Sequence, residues 1–360
     1  MANKPNTSPA CSAATPLDGY AWRQSYDWNY EHVPTPMAHD EPLVNDKWDF
    51  CGLPVASPLG IAAGPLLNGR WILYYAALGF DVLTYKTVRS RARACYPVPN
   101  LQPIEAVHVR GNESALPASN DMCGSWAVSF GMPSRAPDVW RADVEATRRA
   151  LPGNKILSVS VVATPEPNWT LDDLAADFAR CAKWAVESGA DCIEANFSCP
   201  NVASADGQLY QQPEAASLVS ARLREAVGSK PLLLKIGHVT DEALAVALSK
   251  AVAPHADALV MVNCITATVT DARQRPLFDG QRRGIAGEAI REAALDQVHL
   301  FAQVLHLHAL ELRLVGVGGI ASAPQVRAHL VAGAHAVQLA TVAMLNPRVG
   351  LDIRRDWAVA

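Results

Sequence analysis

The stretch ANFSCPN, residues 195–201, brings a thiol, a hydroxyl and two amides together at the end of an apolar run. Asn196 and Asn201 carry side chains that both donate and accept hydrogen bonds, which suits a ligand with ring amides. Cys199 precedes Pro200 in this stretch, and a thiol held at the right atom can act as a general acid or base. The alternative is a buried thiol without chemistry, because most free cysteines behave as small hydrophobic residues.

A glycine pair at the end of another apolar run predicts a phosphate site. Gly318 and Gly319 follow the run LVGV, and bare backbone there can approach an anion that the N-terminus of a following helix favours. Thr341 ends the neighbouring run AVQLAT, and in barrels a phosphate often binds at the last two strand ends. A tight turn without a ligand is the alternative for the glycine pair.

Two lysines at the ends of apolar runs predict buried positive charges. Lys235 ends PLLLK and Lys86 follows VLTY. A buried ammonium group is costly unless a negative group is close to it. For Lys235 that partner is either a structural carboxylate or the anionic ring of a bound cofactor, and Lys86 raises the same question.

The elements that position these residues alternate between strands and helices from about residue 55 onward. The runs 156–162 and 191–197 predict strands, and several runs are apolar throughout, which indicates strands covered on both faces. In the segment between them Thr170 is a suitable N-cap and Gly189 ends the helix. About eight such units predict an α/β fold, a closed (β/α)8 TIM barrel with an N-terminal extension.

In a barrel of this kind the loops after the strands build the active site. The polar or glycine residues that end the runs are therefore expected at one rim: Lys86 and Thr87, Asn196 to Asn201, Lys235, Asn263 and Cys264, Gly318 and Gly319, and Thr341. The stretch RRGIAGEAI, residues 282–290, predicts a glycine loop ahead of a helix, and an ordinary flexible loop is its alternative.

Composition excludes several classes of protein. The 360 residues are 50% hydrophobic and 18% charged with a net charge of −4, so nucleic-acid binding is not predicted. A membrane span needs about 18 consecutive apolar residues, and no apolar stretch in the sequence is that long. The N-terminus also lacks the apolar core of a secretory signal. The eight cysteines form no C-x-x-C pair, so neither a disulfide framework nor an iron–sulfur or other metal site is predicted. We expect a cytoplasmic protein.

Residues 1–46 differ in composition from the barrel predicted over 47–360. They are rich in Pro, Asn, Ser and Asp, yet the segment 20–33, YAWRQSYDWNYEHV, carries more aromatic side chains than disordered chains do. We predict that the first ~15 residues are loose and that the aromatic segment docks on the barrel or on a partner subunit.

Seven motifs resemble those of dihydroorotate dehydrogenases and of the related flavin domain of dihydropyrimidine dehydrogenase, in the correct order over residues 50–345. They are SPLGIAAG (57–64), ANFSCPN (195–201), LLLKIG (232–237), ALVMVN (258–263), GIAG (284–287), VGVGGI (315–320) and GAHAVQLAT (333–341). The resemblance implies an FMN-dependent barrel enzyme that interconverts CH–CH and C=C in a cyclic amide-like substrate. Cys199 matches the catalytic base of the soluble, class 1 enzymes.

The resemblance also implies a role for each matching residue. The FMN contacts would be Ala63, Gly64, Lys86, Thr87, Asn196, Lys235, Gly287, Gly318, Gly319, Ala340 and Thr341. The substrate contacts would be Val128, Phe130, Gly131, Asn196, Asn201, Asn263 and Cys264. Cys199 would be the catalytic acid or base, Lys86 would face both flavin and substrate, and Lys235 would stabilise the reduced, anionic flavin.

Four positions depart from the family pattern. Val128 replaces an asparagine, Phe130 a methionine, Ser134 another asparagine and Asn100 an arginine. A valine cannot donate a hydrogen bond to a substrate carboxylate, and loss of such a donor changes substrate discrimination strongly. The departures favour a more apolar or uncharged ring substrate.

Three functions stay open on the sequence. The first is an FMN-dependent oxidoreductase of dihydroorotate dehydrogenase type, which the resemblance expects to form a homodimer. The second is a subunit like dihydropyrimidine dehydrogenase that exchanges electrons with a partner protein, because this chain lacks cluster-binding cysteine motifs. The third is a barrel that binds a phosphorylated small molecule without redox chemistry.

Overall fold

The computed structural model describes residues 19–44, 47–198 and 205–358. The strands in these ranges are β1 (Trp48–Phe50), β2 (Leu53–Val55), β3 (Leu59–Ile61), β4 (Val82–Val88), β5 (Leu101–Pro103), β6 (Leu116–Pro117), β7 (Ser125–Val128), β8 (Ile156–Val161), β9 (Cys192–Asn196), β10 (Leu232–Lys235), β11 (Ala258–Met261), β12 (Ile265–Ala267), β13 (Val269–Thr270), β14 (Arg283–Gly287), β15 (Arg313–Val317) and β16 (Ala336–Leu339).

The helices in the same ranges are α1 (Tyr26–Glu31), α2 (Gly69–Ala76), α3 (Pro137–Ala150), α4 (Leu171–Glu187), α5 (Pro213–Val227), α6 (Glu242–Val252), α7 (Arg291–Leu307), α8 (Ala323–Val331), α9 (Thr341–Leu345) and α10 (Val349–Ala358). Helices α2 to α8 each lie between two consecutive barrel strands.

Eight strands close into a parallel barrel in the order β3, β4, β8, β9, β10, β11, β15, β16 and back to β3. The predicted (β/α)8 barrel is confirmed. Its strands are buried and mostly apolar because one face packs on the helices and the other fills the barrel interior.

Helix α4 illustrates how local sequence defines an element. The Thr170 side chain accepts a hydrogen bond from the Asp173 backbone N–H at 3.2 Å, and the Asp173 carboxylate accepts one from the Thr170 N–H at 2.8 Å. This capping box satisfies N–H groups at the helix start that have no partner within the helix. Gly189 follows the helix at φ +99°, a left-handed conformation that favours glycine. Both predicted boundaries of this helix are confirmed.

The barrel interior is built in layers because side chains alternate along each strand. At the strand starts an apolar layer packs around Phe50 of the β1–β2 hairpin: Val82, Ile156, Cys192, Leu233, Val315 and Ala336. Two residues further along their strands lie Thr84, Glu194 and Gln338, with Gln338 donating to Thr84 at 3.1 Å. Lys86 and Asn196 lie two residues beyond that level. Lys235 follows Leu233 by two residues and pairs with Asn196, so all three reach the carboxyl rim.

A second, antiparallel sheet adds strands near this rim, in the order β12, β14, β7, β5. Its strand β14 contains Gly284 and Gly287, which were predicted to lie in a loop ahead of a helix. The helix follows as α7, but the loop prediction was wrong. Gly284 pairs with Val128 and Ala286 with Trp126, so the chain is extended there because β7 supplies hydrogen-bond partners. Local sequence gives no sign of a partner so distant along the chain.

A buried charge network fastens the C-terminal helix α10 to the base of the barrel. The Asp81 carboxylate is fully buried and accepts hydrogen bonds from Arg354 at 2.5 Å and from Lys155 at 3.0 Å. Lys155 also donates to Glu41 at 2.7 Å, and Arg354 donates to the Gly79 carbonyl at 2.6 Å. Each buried charge therefore has opposite charges or hydrogen-bond partners around it.

We expect Arg354→Met to lower the free energy of unfolding by about 3 kcal/mol, because it leaves Asp81 buried with one cation fewer. Arg355→Met is the matched control: Arg355 is 59% exposed and pairs with Asp352, so about 0.5 kcal/mol or less should be lost. Chemical denaturation of both variants checks this. Equal losses would contradict the structural role given to Arg354.

Candidate active site

Two cavities open at the carboxyl rim and share part of their walls. Their common lining residues are Asn263, Ala286, Val317, Ala340 and Thr341. The two cavities therefore adjoin along this wall at the ends of several strands, and together they are called the hollow below. The cavity beside the glycine pair is called the glycine cavity below, and the other is called the lysine cavity.

The hollow collects most of the residues predicted from the sequence. The glycine cavity is lined by Gly287, Gly318, Gly319, Ala340 and Thr341. The lysine cavity is lined by Ala63, Gly64, Lys86, Thr87, Val128, Phe130, Asn196, Lys235, Asn263 and Cys264. Gly131 lies between two lining residues, Phe130 and Met132, and packs against the ring of Tyr96.

Cys199 and Asn201 lie outside the described residues, so their predicted roles stay predictions. The chain is described up to Ser198, which lines the lysine cavity directly after strand β9. Other lining residues were not anticipated as site residues, among them Leu101, Trp126, Met132 and Met344. Most of them are apolar, and a buried apolar residue carries no sequence signal that separates a cavity wall from core.

The glycine cavity fits an anionic phosphate. Gly319 lies at φ +65°, and a Cβ there would come within 2.6 Å of the Arg291 Cβ, so only bare backbone fits. Glu288 also lines this cavity, and its carboxylate pairs with the Arg291 guanidinium at 3.0 Å. The negative charge of Glu288 is thereby balanced on the wall itself.

The amides in the lysine cavity are held in place by one another and by backbone groups. Asn263 donates to the Asn196 side-chain oxygen at 3.3 Å and to the Ser198 carbonyl. The same Asn196 oxygen accepts from the Ser198 N–H at 3.1 Å. Among the residues that the structure describes, the Asn196 amino group reaches only the Met132 sulfur, at 3.4 Å, which is a weak acceptor. That amino group therefore keeps donor capacity for a carbonyl oxygen of a ligand.

Lys235 has the structural carboxylate that the sequence left as one alternative. Its ammonium nitrogen lies 3.9 Å from Glu194, and both side chains are buried. Neither Glu194 oxygen accepts a hydrogen bond from the described residues. At this separation the N–H donors of Lys235 stay available for other acceptors. Glu194 therefore balances the charge of Lys235, and an anionic ring in the cavity can still accept hydrogen bonds from the lysine.

Lys86 places a second positive charge in the lysine cavity and is itself buried. Burial raises the pKa of the nearby Cys95 thiol to about 11, although the charge of Lys86 opposes that shift. A pKa this high keeps the Cys95 thiol protonated near neutral pH, and Cys95 lines neither cavity.

The departures from the family pattern fall in different places. Val128 and Phe130 line the lysine cavity together with Trp126 and form an apolar wall. Ser134 does not line either cavity: its hydroxyl accepts from the Arg89 N–H at 3.1 Å and donates to the Arg135 carbonyl at 2.9 Å. In this chain the side chain at position 134 therefore holds the loop between β7 and α3.

Comparison with known proteins agrees with this geometry. The family model described as dihydroorotate dehydrogenase matches residues 47–356. The chain belongs to the dihydroorotate dehydrogenase family. The resemblance predicted from the seven motifs is confirmed, and the chain is a flavin-dependent oxidoreductase that acts on CH–CH bonds. This outcome disfavours a phosphate-binding barrel without redox chemistry.

Relatives from distant organisms cover most of the chain. Dihydroorotate dehydrogenase of Dictyostelium discoideum is 30% identical over 356 residues, which are 92% of this chain and 95% of that protein. The catalytic subunit of dihydroorotate dehydrogenase B (NAD(+)) of Desulforudis audaxviator is 29% identical over 85% of this chain and 89% of its own. The crystal structure of the Eimeria tenella enzyme in complex with ferulenol superposes with a TM-score of 0.70 at 17% identity, covering 90% and 86% of the two chains.

Two further observations concern the described part of this family member. None of its helices there has the length and apolarity needed to cross a membrane. In the same residues no three side chains of His, Cys, Asp or Glu are grouped closely enough to share a metal ion.

We expect Gly319→Ala to weaken flavin binding at least about tenfold, because a Cβ at this φ is strained and meets Arg291. Gly153→Ala is the control, since a Cβ there meets no atom within 4 Å. Flavin affinity is measured by titration of the apoprotein, with circular dichroism to check the fold. An unchanged flavin affinity in the Gly319→Ala protein would show that the glycine cavity is not part of the flavin site.

Proposed function

We propose that the chain binds FMN along the hollow and interconverts CH–CH and C=C bonds of a cyclic amide, with dihydroorotate and neutral dihydropyrimidines as candidate substrates. The observation that carries the proposal is that the two cavities adjoin along a shared wall. Bare backbone for a phosphate lies at one end, and buried lysines and amides lie at the other. A mononucleotide with one phosphate and one ring system has this distribution of groups.

The proposed FMN contacts divide between the two cavities. Gly318, Gly319 and Thr341 hold the phosphate. Lys235 lies beside the ring system, where its ammonium group favours the additional negative charge of reduction. When bound, FMN supplies the hydride acceptor, and the protein contributes position and charge.

The substrate ring lies among the amides of the lysine cavity. Asn196 and Asn263 donate to its carbonyl oxygens and accept from its N–H groups, and Lys86 adds a positive charge at the same wall. Cys199 would remove a proton from one ring carbon, and the hydride of the adjacent carbon would pass to the bound flavin. The C–H bond electrons at the first carbon become the new C=C bond, so two electrons and two hydrogens leave the substrate.

The apolar wall of Trp126, Val128 and Phe130 favours a ring without a carboxylate on that side. Anaerobic mixing of the holoprotein with dihydroorotate, dihydrouracil and dihydrothymine tests this, with bleaching of the flavin absorption as the signal. Faster bleaching by the neutral rings supports the substrate preference, and faster bleaching by dihydroorotate overturns it. If none of the three bleaches the flavin, the proposed reaction is wrong.

The electron acceptor is proposed to be a partner protein. The Desulforudis audaxviator relative is named as a catalytic subunit of an NAD(+) enzyme, and such a name implies further subunits. Reduction of NAD+ by the isolated chain with its substrate would contradict a partner requirement. Co-purification of an iron-containing protein would support one.

We expect Cys199→Ala to retain flavin but to slow its reduction by substrate about 10²–10⁴-fold, the usual contribution of a general base. Cys51→Ala is the control, because Cys51 lies beside the apolar layer at the opposite end of the barrel. Stopped-flow reduction rates decide the matter. An unchanged rate in Cys199→Ala would defeat the assigned role.

A further inference from the structure

The N-terminal segment 20–33 contains a short helix that meets the wall of the lysine cavity from outside. Helix α1 has only six residues, a length that is not stable by itself in water. Tyr26 and Asn29 on this helix are buried against the body of the protein. Its conformation is therefore maintained by contacts with the rest of the chain.

Hydrogen bonds to helix α2 fix the position of α1. The Trp71 indole N–H donates to the Asn29 carbonyl at 2.9 Å. The Asn68 side chain donates to the Tyr30 carbonyl at 2.8 Å, and the same Asn68 caps α2. Carbonyl groups at the end of α1 are thereby satisfied by an element of the barrel.

Tyr26 packs directly behind Phe130. Their ring centroids lie 6.2 Å apart at an interplanar angle of 68°, an edge-to-face contact, and both rings are buried. Phe130 lines the lysine cavity. A residue of the N-terminal segment is thus one side chain away from the substrate cavity.

The Asn100 side chain joins α1 to the same wall through three hydrogen bonds. Its oxygen accepts from the Tyr26 N–H at 3.1 Å, and its amino group donates to the carbonyls of Tyr96 at 2.9 Å and Ser129 at 3.1 Å. Asn100 is buried, so a lost partner is not replaced freely by water. The start of α1 and the backbone beside Phe130 are therefore held by one amide.

The wall that receives these contacts needs support. Gly131 and Met132 lie consecutively at φ +72° and +50°, and the left-handed conformation is unfavourable for methionine. The Met132 side chain lines the cavity and its sulfur lies 3.4 Å from the Asn196 amino group. A shift of Phe130 would therefore move Met132 and, through it, the Asn196 amide that is proposed to hold the substrate.

We propose that α1 is the outer layer of the substrate cavity, and that Tyr26 is a positioning residue that holds Phe130 and Met132 where they set the affinity for the ring substrate. This inference rests on the proposed function in one respect, namely that the ligand of the lysine cavity is the substrate. The packing of Tyr26 on the cavity wall is independent of which ring compound binds.

The experiment compares Tyr26→Ala with Trp28→Ala in the full-length holoprotein. Trp28 lies on the same helix but is 37% exposed and stacks on His32, so its removal should not reach the cavity. Tyr26→Phe retains the ring that contacts Phe130 and serves as the rescue variant. Flavin content and thermal stability are recorded for each protein.

The first readout is the affinity for orotate and for uracil. Binding of each ligand is monitored through the change that it causes in the flavin absorption. We expect Tyr26→Ala to weaken the better of the two ligands about tenfold with flavin retained, as loss of an edge-to-face aromatic contact implies. Tyr26→Phe and Trp28→Ala should stay within about twofold of wild type. In turnover the loss should appear mainly in KM, because the chemical groups are unchanged.

The second readout needs no ligand. Hydrogen–deuterium exchange of the backbone segment 126–135 in the holoprotein should rise in Tyr26→Ala and stay unchanged in Trp28→Ala and Tyr26→Phe. If Tyr26→Ala loses its flavin or fails to fold, Tyr26→Leu, which keeps apolar volume, is measured in its place.

The two proposals fail in different ways. Wild-type holoprotein that responds to no ring compound overturns the proposed function, and the exchange experiment still decides the role of α1. Equal exchange of segment 126–135 in wild type and in Tyr26→Ala overturns the positioning role. Equal loss of ligand affinity in the Tyr26→Ala and Trp28→Ala proteins also overturns it, because that outcome indicates general destabilisation.

Discussion

The register between neighbouring parallel strands is the constraint on which the site depends. Lys235 pairs with Asn196 across strands β10 and β9, so a lysine and an amide arrive side by side at the carboxyl rim. Side chains alternate between the barrel interior and the helix layer, and a slip of one residue would turn both groups away from the hollow. Closure of the barrel prevents such a slip, because each strand is held from two sides. The chemistry of this protein is in that sense a consequence of strand pairing.

The same alternation explains why the site includes a buried carboxylate. Glu194 lies two residues before Asn196 and points into the barrel below the lysine cavity. A buried carboxylate is unfavourable unless a positive charge accompanies it, and Lys235 provides that charge at 3.9 Å. Such interruptions of an otherwise apolar interior are typical of functional sites, where local stability is lower and the surrounding core compensates. The apolar layer around Phe50 at the other end of the barrel belongs to that core.

Much of the fold could be predicted from the sequence because strong local signals agree. The capping box at Thr170, the glycine after α4 and the apolar strands each indicate the same alternating pattern. The antiparallel sheet could not be predicted, because its strands have three to five residues and their partners lie far along the chain. Strand β14 therefore looked like a loop. The apolar wall residues Trp126 and Met132 were missed for a related reason, since an apolar side chain beside a cavity and one inside the core have the same sequence pattern.

The sequence by itself determined which residues end the barrel strands, where helix α4 begins and ends, and to which family the chain belongs, because each of these depends on neighbouring residues or on short motifs. The folded structure alone shows which of those side chains share a cavity, that Glu194 accompanies Lys235, and that Tyr26 contacts Phe130. Tyr26 and Asn100, which make one hydrogen bond, are 74 positions apart in the chain. Contacts of this kind arise when the barrel closes and a short helix docks on it, and no local periodicity encodes them.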